Sequence, residues 1–150
     1  MVRKAQRAAD FSVLDSLINS RSFVLEADFL QNKYGYMVPV VPTLNFIKVD
    51  DTKGILQTGS DTRVGYNGVG GVTAEGNIGS WKIYKDYKGL RYTVSFNILT
   101  NIGNFDVTMT VGADNNATAT ISGTTSGRLT WRGHLKTVNN SRVFKGYNTI

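Results

Sequence analysis

Leu90-Arg91-Tyr92-Thr93-Val94-Ser95-Phe96-Asn97-Ile98 alternates apolar and polar side chains without a break. Phe105, Val107, Met109 and Val111 continue the pattern, with Asp106, Thr108 and Thr110 between them. Strand side chains point to opposite faces in turn, so each stretch predicts a strand with one buried and one wet face. One-sided burial is the habit of antiparallel sheets, because parallel sheets are covered on both faces. The run therefore places the chain in the mainly all-β class.

Working outward, Trp81–Tyr87 predicts a strand that turns at Lys88-Gly89 into Leu90–Leu99. Thr100–Gly103 turns into Asn104–Val111, and Gly112–Asn116 turns into Ala117–Ser122. Gly123–Gly127 links to Arg128–Leu135, and a last short strand is expected over Arg142–Lys145. Toward the N-terminus, Ser22–Leu30 reads as a strand in which Phe23, Leu25, Ala27 and Phe29 share the apolar face. Tyr34–Pro42 holds both prolines of the chain, which cannot donate to a ladder, so it reads as an edge, a loop or an extended connector. Leu44–Val49 and Ile55–Thr58 form a hairpin about Asp50–Gly54. Glycines 65, 68, 70, 71, 76 and 79 are dense enough to suggest turns or close backbone approach.

The first twenty residues read as a helix with Phe11, Leu14, Leu17 and Ile18 on one face. The whole is expected to be a single β domain over residues 1–150, with an N-terminal helix at 1–20 packed on an antiparallel sheet spanning 22–146. About eight strands joined by short turns predict a meander closing into a barrel-like or strongly curved sheet, since closure removes exposed edges.

Composition excludes several classes. Hydrophobic residues make up 41% of the 150, too many for a disordered chain. No apolar run approaches the roughly 18 residues of a spanning helix. With no Cys there is no disulfide framework, thiol nucleophile or cysteine metal site, and a single histidine excludes the common two- and three-His zinc sites. The net charge of +6 favours anionic partners in general, but no dense basic cluster marks a binding tail.

Gly65-Tyr66-Asn67-Gly68-Val69-Gly70-Gly71 is the first candidate for chemistry. It lacks the Gly-Lys-Ser/Thr ending of a phosphate loop and no helix pattern follows it. Tyr66, Asn67, Gly68, Gly70 and Gly71 are the candidate ligand-binding residues, as an exposed loop surface. His134 falls on the polar phase of its strand with Thr130 and Arg132, a solvent-facing position. Glu26 and Asp28 share a strand face and could serve glycoside hydrolysis only if they flanked a cleft. Asp50-Asp51 reads as turn chemistry. No catalytic set, metal site or cofactor is expected, and without the signature of a nucleic-acid module nucleic acid is not an expected partner.

The order of Ser22–Asp28, Asn45-Phe46-Ile47, Gly65–Thr73, Leu129–Gly133 and Arg142–Gly146 resembles an uncharacterised Bacteroidetes envelope-protein family, domain of unknown function 4251. The resemblance spans nearly the whole chain. It implies an exported protein, periplasmic or an outer-membrane lipoprotein, with a signal segment ahead of Met1 and membrane contact only through a removed lipid anchor. Asp15-Ser16-Leu17 resembles an O-glycosylation motif of exported Bacteroidetes proteins. No catalytic residue is carried over.

Three readings stand. The first is a non-enzymatic binding or structural module of the cell envelope, with an envelope protein or glycan as partner. The second is a barrel-type carrier of a small apolar ligand, which an eight-stranded barrel is wide enough to hold. The third is a hydrolase of envelope glycans or lipids, which would need two carboxylates, or His134 with a Ser and an Asp, in one pocket.

Overall fold

The computed structural model describes residues 2–59, 71–123, 128–143 and 145–146, with the backbone alone for 2–5 and 7. Helix α1 (Val2–Asn19) precedes nine strands: β1 (Ser22–Asn32), β2 (Met37–Pro39), β3 (Phe46–Asp50), β4 (Lys53–Gln57), β5 (Thr73–Asp86), β6 (Arg91–Thr100), β7 (Gly103–Gly112), β8 (Ala117–Ser122) and β9 (Arg128–Thr137). Every pairing is antiparallel. The order runs β1-β3-β4-β5-β6-β7-β8-β9, and β9 pairs back with β1 to close an eight-stranded barrel; β2 is an extra strand beside the second half of β1.

Closure requires strands to bend, and the two longest strands do so at bulges. In β1 the register against β9 slips between Ala27 and Phe29, leaving Asp28 as the extra residue. In β5 it slips between Gly79 and Lys82, where Ser80 has φ +53°. Each bend lies near a glycine that lets two backbones touch. A Cβ at Gly133 would overlap the Glu26 carbonyl oxygen, and one at Gly76 would overlap that of Leu99.

The β1 bulge corrects the expected apolar face of that strand. Phe23, Leu25 and Ala27 are buried inside, but the extra residue turns Phe29 outward, where it is 41% exposed. Val24, on the opposite phase, is also buried, with Phe46 and Ile55 in a small outer cluster covered by Val138 and Val143. The segment after β9 provides this cover and forms no strand at Arg142 or Val143, so the sheet ends at Thr137 rather than reaching 146. The Leu44–Val49 strand starts instead at Phe46, because Leu44 and Asn45 turn back to bond the Val41 carbonyl. Gly76 and Gly79 are strand residues rather than turns. Tyr34–Pro42 contributes the short edge strand β2, one of the roles its prolines allow.

Inward-facing residues of all eight barrel strands form one apolar cluster that includes Phe23, Leu56, Tyr92, Phe96, Met109 and Trp131. The Trp131 indole N–H donates to the Gln57 carbonyl at 3.2 Å, joining β9 to the non-adjacent β4. Helix α1 plugs the end where β1 begins and β9 finishes. Its Phe11, Leu14 and Ile18 are buried in the same cluster, and Phe11 stacks on Tyr92 at 5.1 Å between centroids. Lys85 clamps the plug: its Nζ lies 2.9 Å from Asp15 Oδ1 and within 5.5 Å of the Phe11, Tyr87 and Tyr92 rings.

The hydrogen bond to Asp15 holds the Lys85 pKa above the ordinary lysine value, while burial pulls the other way. A pKa raised in the folded state contributes stability that is whole below the unfolded pKa and is lost as pH rises through the folded one. Asp15→Asn is therefore expected to lower the Tm at neutral pH by no more than about 2 °C, as suits a partly exposed pair. The difference from wild type should disappear in strong alkali. Trp131→Ala should cost about 3–5 kcal/mol in urea unfolding, and Trp131→Phe a smaller part of that, near the ~1 kcal/mol of the lost hydrogen bond plus the smaller ring.

Candidate functional site

Of the candidate ligand residues, Tyr66, Asn67, Gly68 and Gly70 lie outside the described residues. Gly71 lies in a stem where β4 has ended at Gln57 and β5 is about to begin at Thr73. The Thr58 amide donates to the Val72 carbonyl at 2.9 Å, and the Val72 amide donates to Thr58 Oγ1 at 3.1 Å. The Gly71 backbone presses against the Thr58 carbonyl with no room for a Cβ. Its glycine is thus explained by the crossing of two backbones.

Beneath this stem lies a buried polar network that the sequence pattern did not reveal. Asn45, Gln57 and Thr73 are each fully buried. Asn45 Nδ2 donates to the carbonyls of Val41 and Gly59, both at 3.0 Å, and its Oδ1 accepts from the Gly59 amide at 3.0 Å. Gln57 Nε2 donates to the Leu44 carbonyl at 3.1 Å. Its Oε1 accepts from the Thr73 hydroxyl at 2.8 Å and from the Gly146 amide at 2.7 Å. Four chain segments are tied together here. Buried amides with such partners fix a shape and hold little capacity for a ligand.

The residues weighed for catalysis gather on the outer wall at the β1–β9 seam, whose register sets Glu26 opposite His134. His134 Nδ1 lies 3.1 Å from Asp28 Oδ2, and the imidazole is half-exposed as its strand phase predicts. Ser141 Oγ donates to Glu26 Oε2 at 2.7 Å, and Lys136 Nζ lies 3.5 Å from Glu26 Oε1. Glu26 is buried because the segment after β9 covers it, with Ser141 as the contact. A nucleophilic triad needs the imidazole between the hydroxyl and the carboxylate. Here serine and histidine each hold a different carboxylate. Among the described residues no group of three or more His, Asp or Glu could hold a metal ion.

Two open clefts flank the plug helix. One of about 600 Å³ is lined by Asp10, Val13, Leu17, Asp114, Asn115 and Lys136 among others. The other, about 640 Å³, runs along Val13, Ser16, Leu17, Ser20, Val138 and neighbours. Neither contains His134, Glu26 or Asp28. At the opposite end the β1–β2 hairpin leaves Tyr34 and Tyr36 each 74% exposed, with Met37 and Val38 more than half exposed beside them.

A family model described as Domain of unknown function (DUF4251) matches residues 5–135. The crystal structure of a DUF4251 family protein from Bacteroides eggerthii DSM 20697 is similar to this chain at 30% identity and a TM-score of 0.75, covering 92% of this chain and 96% of that one. None of the curated proteins matches the chain.

Gln57→Leu takes partners from a buried hydroxyl, a carbonyl and an amide at once, and should destabilise by about 2–4 kcal/mol in urea unfolding. His134→Gln, at an exposed pair, should change stability by no more than about 0.5 kcal/mol.

Proposed function

The chain belongs to the DUF4251 family, and we propose that it is a non-enzymatic binding or structural module of the bacterial cell envelope, exported to the periplasm or the outer membrane. One contrast carries this reading. The side chains with catalytic potential are engaged with each other on the outer wall, while the β1–β2 hairpin leaves large apolar side chains to solvent. The barrel is a rigid scaffold whose interior is occupied by its own side chains. The envelope setting is what the segments that resemble this family imply.

One observation favours the carrier as a second reading. The Tyr92 hydroxyl is buried in the barrel and finds no hydrogen-bond partner among the described residues. Such a group usually has a partner, and a bound molecule would supply one.

A native mass spectrum of protein purified from its bacterial source separates the two. The bare chain mass is expected. A discrete extra mass, lost on denaturation, would overturn the module reading in favour of the carrier. Fractionation of cells carrying the full gene should place the protein in the envelope, and recovery from the cytosol alone would contradict the location.

A further inference from the structure

We propose that the β1–β2 hairpin docks this protein onto the surface of an anionic phospholipid bilayer. The inference rests on the reading of a binding module and names its partner. It differs from the expectation of membrane contact through a lipid anchor alone.

Three observations converge. The first is what the hairpin exposes: Phe29, Tyr34, Tyr36, Met37, Val38 and Val41 stand together at one end of the molecule, at 38–74% exposure. Tyrosine combines an apolar ring with a polar hydroxyl, which suits the headgroup boundary of a membrane.

The second is the backbone. A segment that leaves water must carry its own hydrogen bonds. Asn32 supplies them at the tip. Its Oδ1 accepts from the amides of Tyr34 at 2.9 Å and Tyr36 at 3.1 Å, and its carbonyl accepts from the Gly35 amide at 3.0 Å. The Tyr36 carbonyl accepts from the Asn32 amide at 2.9 Å, and the Gly35 carbonyl accepts from Gln31 Nε2 at 3.3 Å. The Val40 amide is bonded to the Asp28 carbonyl, so residue 40 faces β1 and residue 39 faces away. That outward position is Pro39, which has no N–H to offer. A partner strand would find a poor edge here, whereas lipid requires no backbone donor.

The third is charge. No Asp or Glu occurs from Phe29 to Val49. Lys33 lies in the hairpin, with Nζ 5.1 Å from the Tyr34 ring centroid. Arg132 stands across from Phe29 and donates from Nε to Gln31 Oε1 at 3.0 Å, and Arg128 begins the same strand. An anionic surface therefore attracts the hairpin through Lys33, with Arg132 and Arg128 on the adjoining strand. Cations at a membrane surface and apolar burial act together in such binding.

Flotation with vesicles of phosphatidylcholine, with and without phosphatidylglycerol, tests this on the full chain. The wild type should float with the anionic vesicles, less so as salt is raised. The triple variant Tyr34→Ser, Tyr36→Ser, Met37→Ser should bind at least about tenfold more weakly. Lys33→Ala should lose about fivefold on anionic vesicles. The urea midpoint of both variants should match wild type, because the hairpin tip lies outside the barrel. Absence of wild-type binding, equal binding to neutral vesicles, or a triple variant that binds like wild type would each overturn the proposal. If the hairpin serves a protein partner instead, vesicles will not float the wild type. Failure here leaves the envelope reading intact, since native mass and fractionation test that separately.

Discussion

Everything in this fold depends on β1 pairing with β9. The strands of an open meander would leave two unpaired edges, and the seam between first and last strand removes them. Closing the seam demands that β1 curve, which it does at Asp28, opposite a β9 backbone that comes close enough at Gly133 to exclude a side chain. The bulge at Ser80 in β5, with Gly76 nearby, supplies a second bend. Curvature in an eight-stranded barrel is thus concentrated in its two longest strands, where an added residue lets the ladder turn without losing its hydrogen bonds on both sides.

Closure also decides where function can reside. The inward faces meet across a space that Trp131, Tyr92, Phe23 and Met109 occupy, and α1 covers one end with Phe11, Leu14 and Ile18. With the interior given to packing, the proposed module would recognise its partner at the surface. The outer wall at the seam is covered by the segment following β9, which pairs Ser141 with Glu26 and Lys145 with Glu75. The β1–β2 hairpin stands clear of that cover and projects past the barrel because β3 stops pairing with β1 at Glu26 and β2 takes over from Phe29.

The fold was legible where one face of a strand meets the core and the other meets water. Strands β6 and β7 satisfy that condition along their length, so alternation located them to within a residue or two. Strand β1 does not satisfy it. Val24 is covered on the outside by Val138 and Val143, and a bulge reverses the phase before Phe29. Neither event is local, so no window of sequence around β1 contains it. The glycines were legible in part: of the two roles their density suggested, Gly76 takes close backbone approach, against Leu99 on another strand, and which role applied could not be read from its own neighbourhood. The site was less legible than the fold. Asn45, Gln57 and Thr73 sit far apart in sequence and look like ordinary surface polar residues until the barrel brings them together. His134 was placed correctly on the wet face because that question is one of strand phase alone.

Amide hydrogen exchange across the β1–β9 seam tests the account's central claim most directly. Closure predicts that the amides of the pairs Glu26–His134 and Gln31–Thr130, which face each other across the seam, exchange only with global unfolding, as slowly as those in the middle of β6 and β7. Exchange at the seam as fast as at the edge strand β2, with β6 and β7 still protected, would mean an open sheet and would contradict it.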